Sequence, residues 1–416
     1  MSQLPVVTAE INFDAAPAVS TRFHLDDPVF GVLDTSQLSE GDDWEDVSKW
    51  LMAFSYQRGV NEGGTPVLRY EAGTGTATLN NSDRRFDPTN LAGPYVQAGV
   101  SQIEPMRIFR LRANWGGATF NIAHAFIDWR FGYDGPTHSL ATLELSDAFE
   151  ILDIDRAGVS AVGAGELSGS RIQRILTSAG WEGGRQVAAG NTTLQATTLD
   201  GAALNEAQLV TDTELGELYV DGAGTIVFRN RHAQLTETRS TQSQATFGSD
   251  VAGGELPYVT VGIEYNRPRA TTVRAARDGG PVQTAQVTAR YPSAYERLDL
   301  AMNTDPVAAD WAAWVLGLAK DPEYRFSTLT VDPRAMPDEL YPQVLGRQVG
   351  DRITIIRRPP GGGSPIKRDV FIRGIRQDYG PGRWVTTWTL QSAIKGAFLV
   401  LDSLVLGKLD SNKLAY

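Results

Sequence analysis

The sequence predicts a mainly β chain of the α+β class, with two related β domains separated by a small mixed α/β segment. Three observations carry that expectation. Glycine (42 residues) and proline (21) punctuate short runs rich in Val, Ile, Thr and aromatics, the composition of many short strands joined by turns. Strong hairpin signals recur along the chain. A stretch of 42 residues also repeats itself without a gap.

The elements follow in chain order. Tyr70–Leu79 alternates small and apolar residues as a strand does, and it runs into Asn81-Ser82-Asp83-Arg84-Arg85-Phe86-Asp87-Pro88, a charged arm closed by proline. Arg107–Ala113 and Ala118–His124 flank Asn114-Trp115-Gly116-Gly117 as a hairpin. In Ser168–Gly180, Ile172, Ile175, Leu176 and Ala179 fall at helical spacing, and Gly180 stands where a C-terminal cap belongs. Tyr219-Val220 and Ile226–Arg229 flank Asp221-Gly222-Ala223-Gly224, a second hairpin. A helix is expected over 305–320, with Asp305 as N-cap and Pro306 in the first turn. Its apolar stripe reads Val307, Trp311, Trp314, Val315 and Leu318, fit for packing on a sheet, and Pro322 blocks continuation.

The repeat pairs Arg107–Ala148 with Arg352–Ala393 at a constant offset of 245, with 12 identical positions. About three would be expected at ordinary composition. The identities fall on strands and turns: Gly116-Gly117 with Gly361-Gly362, Phe126-Ile127 with Phe371-Ile372, Gly135-Pro136 with Gly380-Pro381, and Leu145 with Leu390. Each copy reads strand, glycine turn, strand, Gly-Pro turn, alternating strand. The domain boundaries that follow are 1–153, 154–245, 246–395 and a tail at 396–416.

Chemistry is limited by what is missing. Without cysteine there are no disulfides, thiolate metal sites or cysteine nucleophiles. His24, His124, His138 and His232 are scattered and match no metal-ligand spacing. No nucleophile elbow, phosphate loop or dinucleotide fingerprint is present, so neither an enzyme nor a cofactor is expected. The run Asp42-Asp43-Trp44-Glu45-Asp46 lacks the ligand spacing of a calcium loop and reads as a solvated loop or helix start. No stretch approaches the ~20 apolar residues of a membrane span, and MSQLPVVTAE lacks the features of an export signal. A net charge of −11 argues against wrapping nucleic acid.

Phe54–Gly59, the strand Gly75-Thr76-Ala77-Thr78-Leu79-Asn80-Asn81 and the run Asp83-Arg84-Arg85-Phe86-Asp87-Pro88 resemble minor tail proteins of long-tailed actinobacterial phages. The segments Arg171–Trp181 and Glu214–Asp221 and the ending Leu409–Ala415 resemble them too. The resemblance implies a tail-tip (baseplate) hub with two tail-tube-like β-barrel or sandwich domains, located at the virion tail tip after synthesis in the host cytoplasm. It implies a homotrimer, because three chains with two barrels each match a six-membered tube ring. The implied partners are the tail tube or distal tail protein, the tape measure protein and other tail-tip proteins. Genomic DNA in transit, without specific binding, and the host cell envelope complete that set. A negative channel would repel DNA phosphates. The strand Thr74–Leu79 would lie in a sheet that continues into the neighbouring subunit. Arg84, Arg85, Phe86 and Asp87 form the candidate docking arm, its arginines reaching carboxylates and Phe86 a pocket on the next ring. The alternatives are a self-contained charged turn for the arm and, for the chain, a hexameric distal tail protein or a wall-carbohydrate-binding tail protein.

Overall fold

The computed structural model describes residues 4–13, 44–60, 65–97, 99–134, 138–153 and 160–393. Its fold is mainly β, built on one 13-stranded sheet. The first part contributes β1 (Val6–Asn12), β2 (Trp44–Asp46), β3 (Leu51–Gly59), β4 (Glu71–Asn80), β5 (Ile108–Trp115), β6 (Ala118–Asp134) and β7 (His138–Ser146). The middle segment carries α1 (Ser168–Ser178), α2 (Ala203–Glu214) and the hairpin β8 (Glu217–Val220) and β9 (Ile226–Arg229). The last part opens with β10 (Thr246–Phe247) and β11 (Thr260–Asn266), followed by a small unit of β12 (Thr272–Arg277), β13 (Gln283–Gln286), β14 (Ala294–Leu300) and α3 (Asp305–Ala319). It closes with β15 (Glu323–Val331), α4 (Pro337–Gly346), β16 (Arg352–Arg357), β17 (Ile366–Gly380) and β18 (Arg383–Ser392).

Along the main sheet the order is β11-β15-β18-β17-β3-β4-β7-β6-β5-β1-β2, with β16 also on β17 and β10 on β16. The repeat folds alike in both places. β5-β6-β7 and β16-β17-β18 are antiparallel meanders, and the identical positions meet across the same strands, Ile127 opposite Leu145 and Ile372 opposite Leu390. All four are buried, because period-2 alternation turns them to the core face. Gly116 and Gly117 turn the first hairpin with φ of 58° and 82°, which only glycine adopts freely. Gly361 and Gly362 do the same in the second. The Gly135-Pro136 turn lies outside the described residues; its counterpart Gly380-Pro381 closes β17 onto β18.

The likeness extends beyond the repeated stretch. β4 pairs with β7 as β15 pairs with β18, and β3 pairs with β4 as β11 pairs with β15. The two sets fuse through antiparallel pairing of β17 with β3. Strand β4 therefore has both edges occupied inside the chain, by β3 and β7. The sheet containing it continues into the chain's own second repeat.

The predicted helix over Ser168–Gly180 forms as α1, with Ile172, Ile175 and Leu176 fully buried and Gly180 at φ 70° beyond its end. The helix at 305–320 forms as α3, but its cap position is Thr304 and its buried face is rotated. Ala308, Trp311, Ala312, Val315, Leu316 and Ala319 pack inward, while Leu318 is exposed. Small alanines let the helix lie close on β12 and β13, so they form the contact stripe ahead of the larger Trp314 and Leu318. Trp44–Asp46 is a strand on β1, where a loop or helix start was expected, and Ser48–Trp50 is one 3-10 turn. Asp42, Asp43, His24 and the tail 396–416 lie outside the described residues. Among the described residues no helix is long and apolar enough to cross a membrane.

Candidate functional site: the docking arm and the groove

The arm begins where β4 ends. The Asn80 side chain accepts from the Ser82 amide at 3.0 Å, turning the chain out of the sheet. Asn81, fully buried, holds the loop: its side-chain oxygen accepts from the Phe86 amide at 2.9 Å and its own amide donates to the Ser139 carbonyl at 2.8 Å. Arg84 sits at φ 58° at the tip. Its Nε donates to Asp87 at 2.9 Å, while Asp87 accepts from the Thr89 amide and hydroxyl at 2.9 and 2.6 Å. Arg85 donates to Asp83 at 2.7 Å and lies 3.7 Å from the centre of the Trp50 ring.

Charges within the arm thus answer one another. The Arg85 hydrogen bond holds the Asp83 carboxyl below its ordinary range. Burial pushes Asp87 up, but the bonds from Thr89 and Arg84 outweigh it and leave its carboxyl low as well. Phe86 has no exposed surface; it stacks on Tyr95 and Trp129 at 5.5 and 6.2 Å and meets the edge of Trp50 at 6.1 Å. The expectation that Phe86 reaches a pocket on another subunit therefore needs correction, because its ring is already a plug in the chain's own core. Asp87 is buried too. Arg84, its side chain 57% exposed, is the member of the four that still faces solvent broadly.

A groove of about 1030 Å³ opens where the middle segment, the α3 unit and the second repeat meet. Trp314 and Leu318 of α3, Val67, Leu68, Arg373 of β17 and Glu217 of β8 are among the residues that line it. Glu217 is the keystone there. It takes Arg229 at 2.5 Å on one side and Arg373 on the other, all three nearly inaccessible to water. Burial alone would raise the Glu217 carboxyl, but the guanidiniums of Arg373 and Arg229 pull it down to about 2. The ion cluster fastens the middle segment to the main sheet. Among the described residues no three His, Asp or Glu side chains converge on a metal-sized site.

No sequence-family profile matches the chain, and no curated protein is similar to it in sequence. Solved structures are similar in fold. A tail protein from Neisseria meningitidis MC58 superposes with a TM-score of 0.57 at 12% identity, over 94% of this chain and 97% of that one. The 43 kDa tail protein of prophage MuSo2 from Shewanella oneidensis superposes with a TM-score of 0.53 at 11% identity, over 85% and 95% respectively. The chain has the β-rich fold of these tail proteins across almost all of its length.

Proposed function

We propose that this chain is a structural component of a phage-type tail: a tail-tip hub whose three copies form a ring of six repeats, joining the tube to the tip and surrounding the path of the DNA. The observation that carries this reading is the duplication. One chain holds two antiparallel meanders of the same strand order, fused edge to edge in one sheet. A subunit with two copies of a tube-like unit needs three chains to face a six-membered ring. The similarity of fold to solved tail proteins supports the setting. The division at 153/154 and 245/246 belongs to this proposal, with the middle segment as a bracket outside the ring. So do the tube or distal tail protein and the tape measure protein as neighbours, and contact with the host envelope.

The carbohydrate-binding alternative finds little support. All nine tryptophans are buried or partly buried, so none stands fully open to a sugar ring. Native mass spectrometry of the purified chain separates trimer from hexamer, and labelling of this protein in intact particles locates it. A hexamer, or label away from the tail tip, rejects the hub.

A further inference from the structure

The β17–β3 contact joins the second repeat to the first, and it uses one edge of β17 for two strands. Residues 366–371 of that edge take β16, residues 374–379 take β3, and β18 occupies the opposite edge. β6 is the counterpart of β17. Residues 118–126 take β5, and β7 lies on the far edge. Among the described residues no strand pairs with the remainder of the near edge, Asp128–Asp134. β11 is the counterpart of β3. It pairs with β15 along one edge and, among the described residues, with no strand along the other. Among the described residues the chain thus ends an eight-strand run, β11-β15-β18-β17-β3-β4-β7-β6, on two unpaired halves of a junction it makes once internally.

We propose that these halves complete each other between copies: β6 of one chain pairs antiparallel with β11 of a second copy. This deepens the reading above and rests on it for the ring, since a head-to-tail contact closes into one only where its rotation divides the full turn.

The repeat fixes the register. β17 carries one extra residue at its bulge between Ile372 and Gly374, so Arg376, Gln377 and Tyr379 correspond to Arg130, Phe131 and Tyr133. Through β15 and β4, Val261, Ile263 and Glu264 correspond to Phe54, Tyr56 and Gln57. In the internal junction Tyr379 faces Phe54, Gln377 faces Tyr56 and Arg376 faces Gln57. Between copies, Tyr133 then faces Val261 of the neighbouring copy, Phe131 faces Ile263 and Arg130 faces Glu264.

This register is chemically matched on both faces of the sheet. Phe131, Val261 and Ile263 are partly buried against the main core already, and pairing them extends that core across the copies. Tyr133 is 65% exposed in the single chain and gains a neighbour. On the opposite face Arg130, now paired with Glu144, gains a second carboxylate in Glu264. A slip of one residue would set Arg130 against Ile263 and turn each apolar side chain to the wrong face.

The absence of cysteine gives a clean test in the full chain. The variant Phe131→Cys with Ile263→Cys is oxidised or bridged by a short bismaleimide. The variant Phe131→Cys with Val261→Cys, two residues out of register, is the comparison. Covalent multimers ending in a closed ring are expected for the first, with at least about tenfold less for the second, whose side chains sit a full diagonal apart. Arg130→Glu is expected to weaken assembly about tenfold by setting like charges opposite each other across the junction. Thermal melts confirm that each variant is folded. Equal linking of the two cysteine pairs, undiminished assembly of Arg130→Glu, or a chain that stays monomeric overturns the junction. If labelling places the protein at the tail tip while linking fails, the junction alone falls. If linking succeeds in a protein absent from tails, the functional reading falls and the junction stands.

Discussion

Glu217→Gln is the most informative single change in the chain. The side chain keeps its shape but loses the charge that holds Arg229 and Arg373, which remain buried with 5% and 2% exposure. Removing one partner from such a cluster costs about 3–5 kcal/mol, because the guanidiniums stay desolvated without an anion. The same interaction can be read through pH. The carboxyl titrates at about 2 in the folded chain instead of near 4.5, a difference of about 2.5 pH units or roughly 3 kcal/mol. The folded pKa is depressed, so this stabilisation is complete above about pH 4.5 and is lost as pH falls toward 2. Urea unfolding at pH 7, followed by hydrogen exchange on β8 and β9, measures both the size and the place of the loss. Adding Arg373→Met to Glu217→Gln should recover part of it, since one orphaned cation is gone. A loss below about 1 kcal/mol, or a double variant no better than the single, would refute the view that this cluster fastens the middle segment to the sheet.

Other positions give three further expectations. Asp147, buried and accepting from the Gly73 and Phe149 amides at 2.7 and 2.9 Å, is pushed by desolvation up to about 7. Its folded pKa is raised, so it favours the folded chain fully below about pH 4 and ever less as pH rises to 7; Asp147→Asn should flatten that slope in denaturant midpoints. Phe86→Ala should cost about 3–5 kcal/mol by emptying the ring's site in the core, whereas Arg84→Ala should cost under about 1 kcal/mol; parallel melts that show equal losses would contradict the plug assignment. Gly59 stands at φ 92°, where an added Cβ would come within 2.3 Å of the Arg373 carbonyl oxygen, so alanine should not be tolerated. Gly59→Ala is expected to cost more than about 1 kcal/mol and to raise exchange of the β3 and β17 amides together.

How much of this was legible in the sequence depends on what kind of signal each element carries. The meanders were readable because turn glycines and alternating apolar residues are local signals, and their repetition at one offset reinforced them. α1 was readable because Ile172, Ile175 and Leu176 keep helical period and Gly180 ends it. α2 was not, because Thr211, Asp212, Thr213 and Glu214 are buried polar residues that erase the amphipathic pattern. They are tolerated because each finds a partner: Thr211 donates to the Ala207 carbonyl, Thr213 accepts from the Ala301 amide, Asp212 pairs with Arg297, and Glu214 accepts from the Thr192 amide. α4 was missed because Pro342 lies inside it, although Leu340, Tyr341, Val344 and Leu345 carry a helical stripe. The arm could be found as a motif, but not its direction. Sequence shows that Asp83, Arg84, Arg85 and Asp87 are neighbours; only the fold shows that they neutralise one another while Phe86 turns inward. The ends of the eight-strand run were likewise invisible, since an unused edge is a property of topology and not of any residue.

The link between β3 and β4 differs sharply from its counterpart between β11 and β15. From Gly59 to Glu71 it is a brief crossing, whereas from Asn266 to Glu323 the same crossing swells into a compact lobe with its own buried cluster around Trp311. Two units alike in their strands are therefore unlike in girth. Wherever copies of this chain alternate around an axis, the strand wall would be nearly uniform while the periphery would be scalloped, one bulge per chain, so that a neighbour gripping the rim would count chains and a neighbour gripping the wall would count repeats.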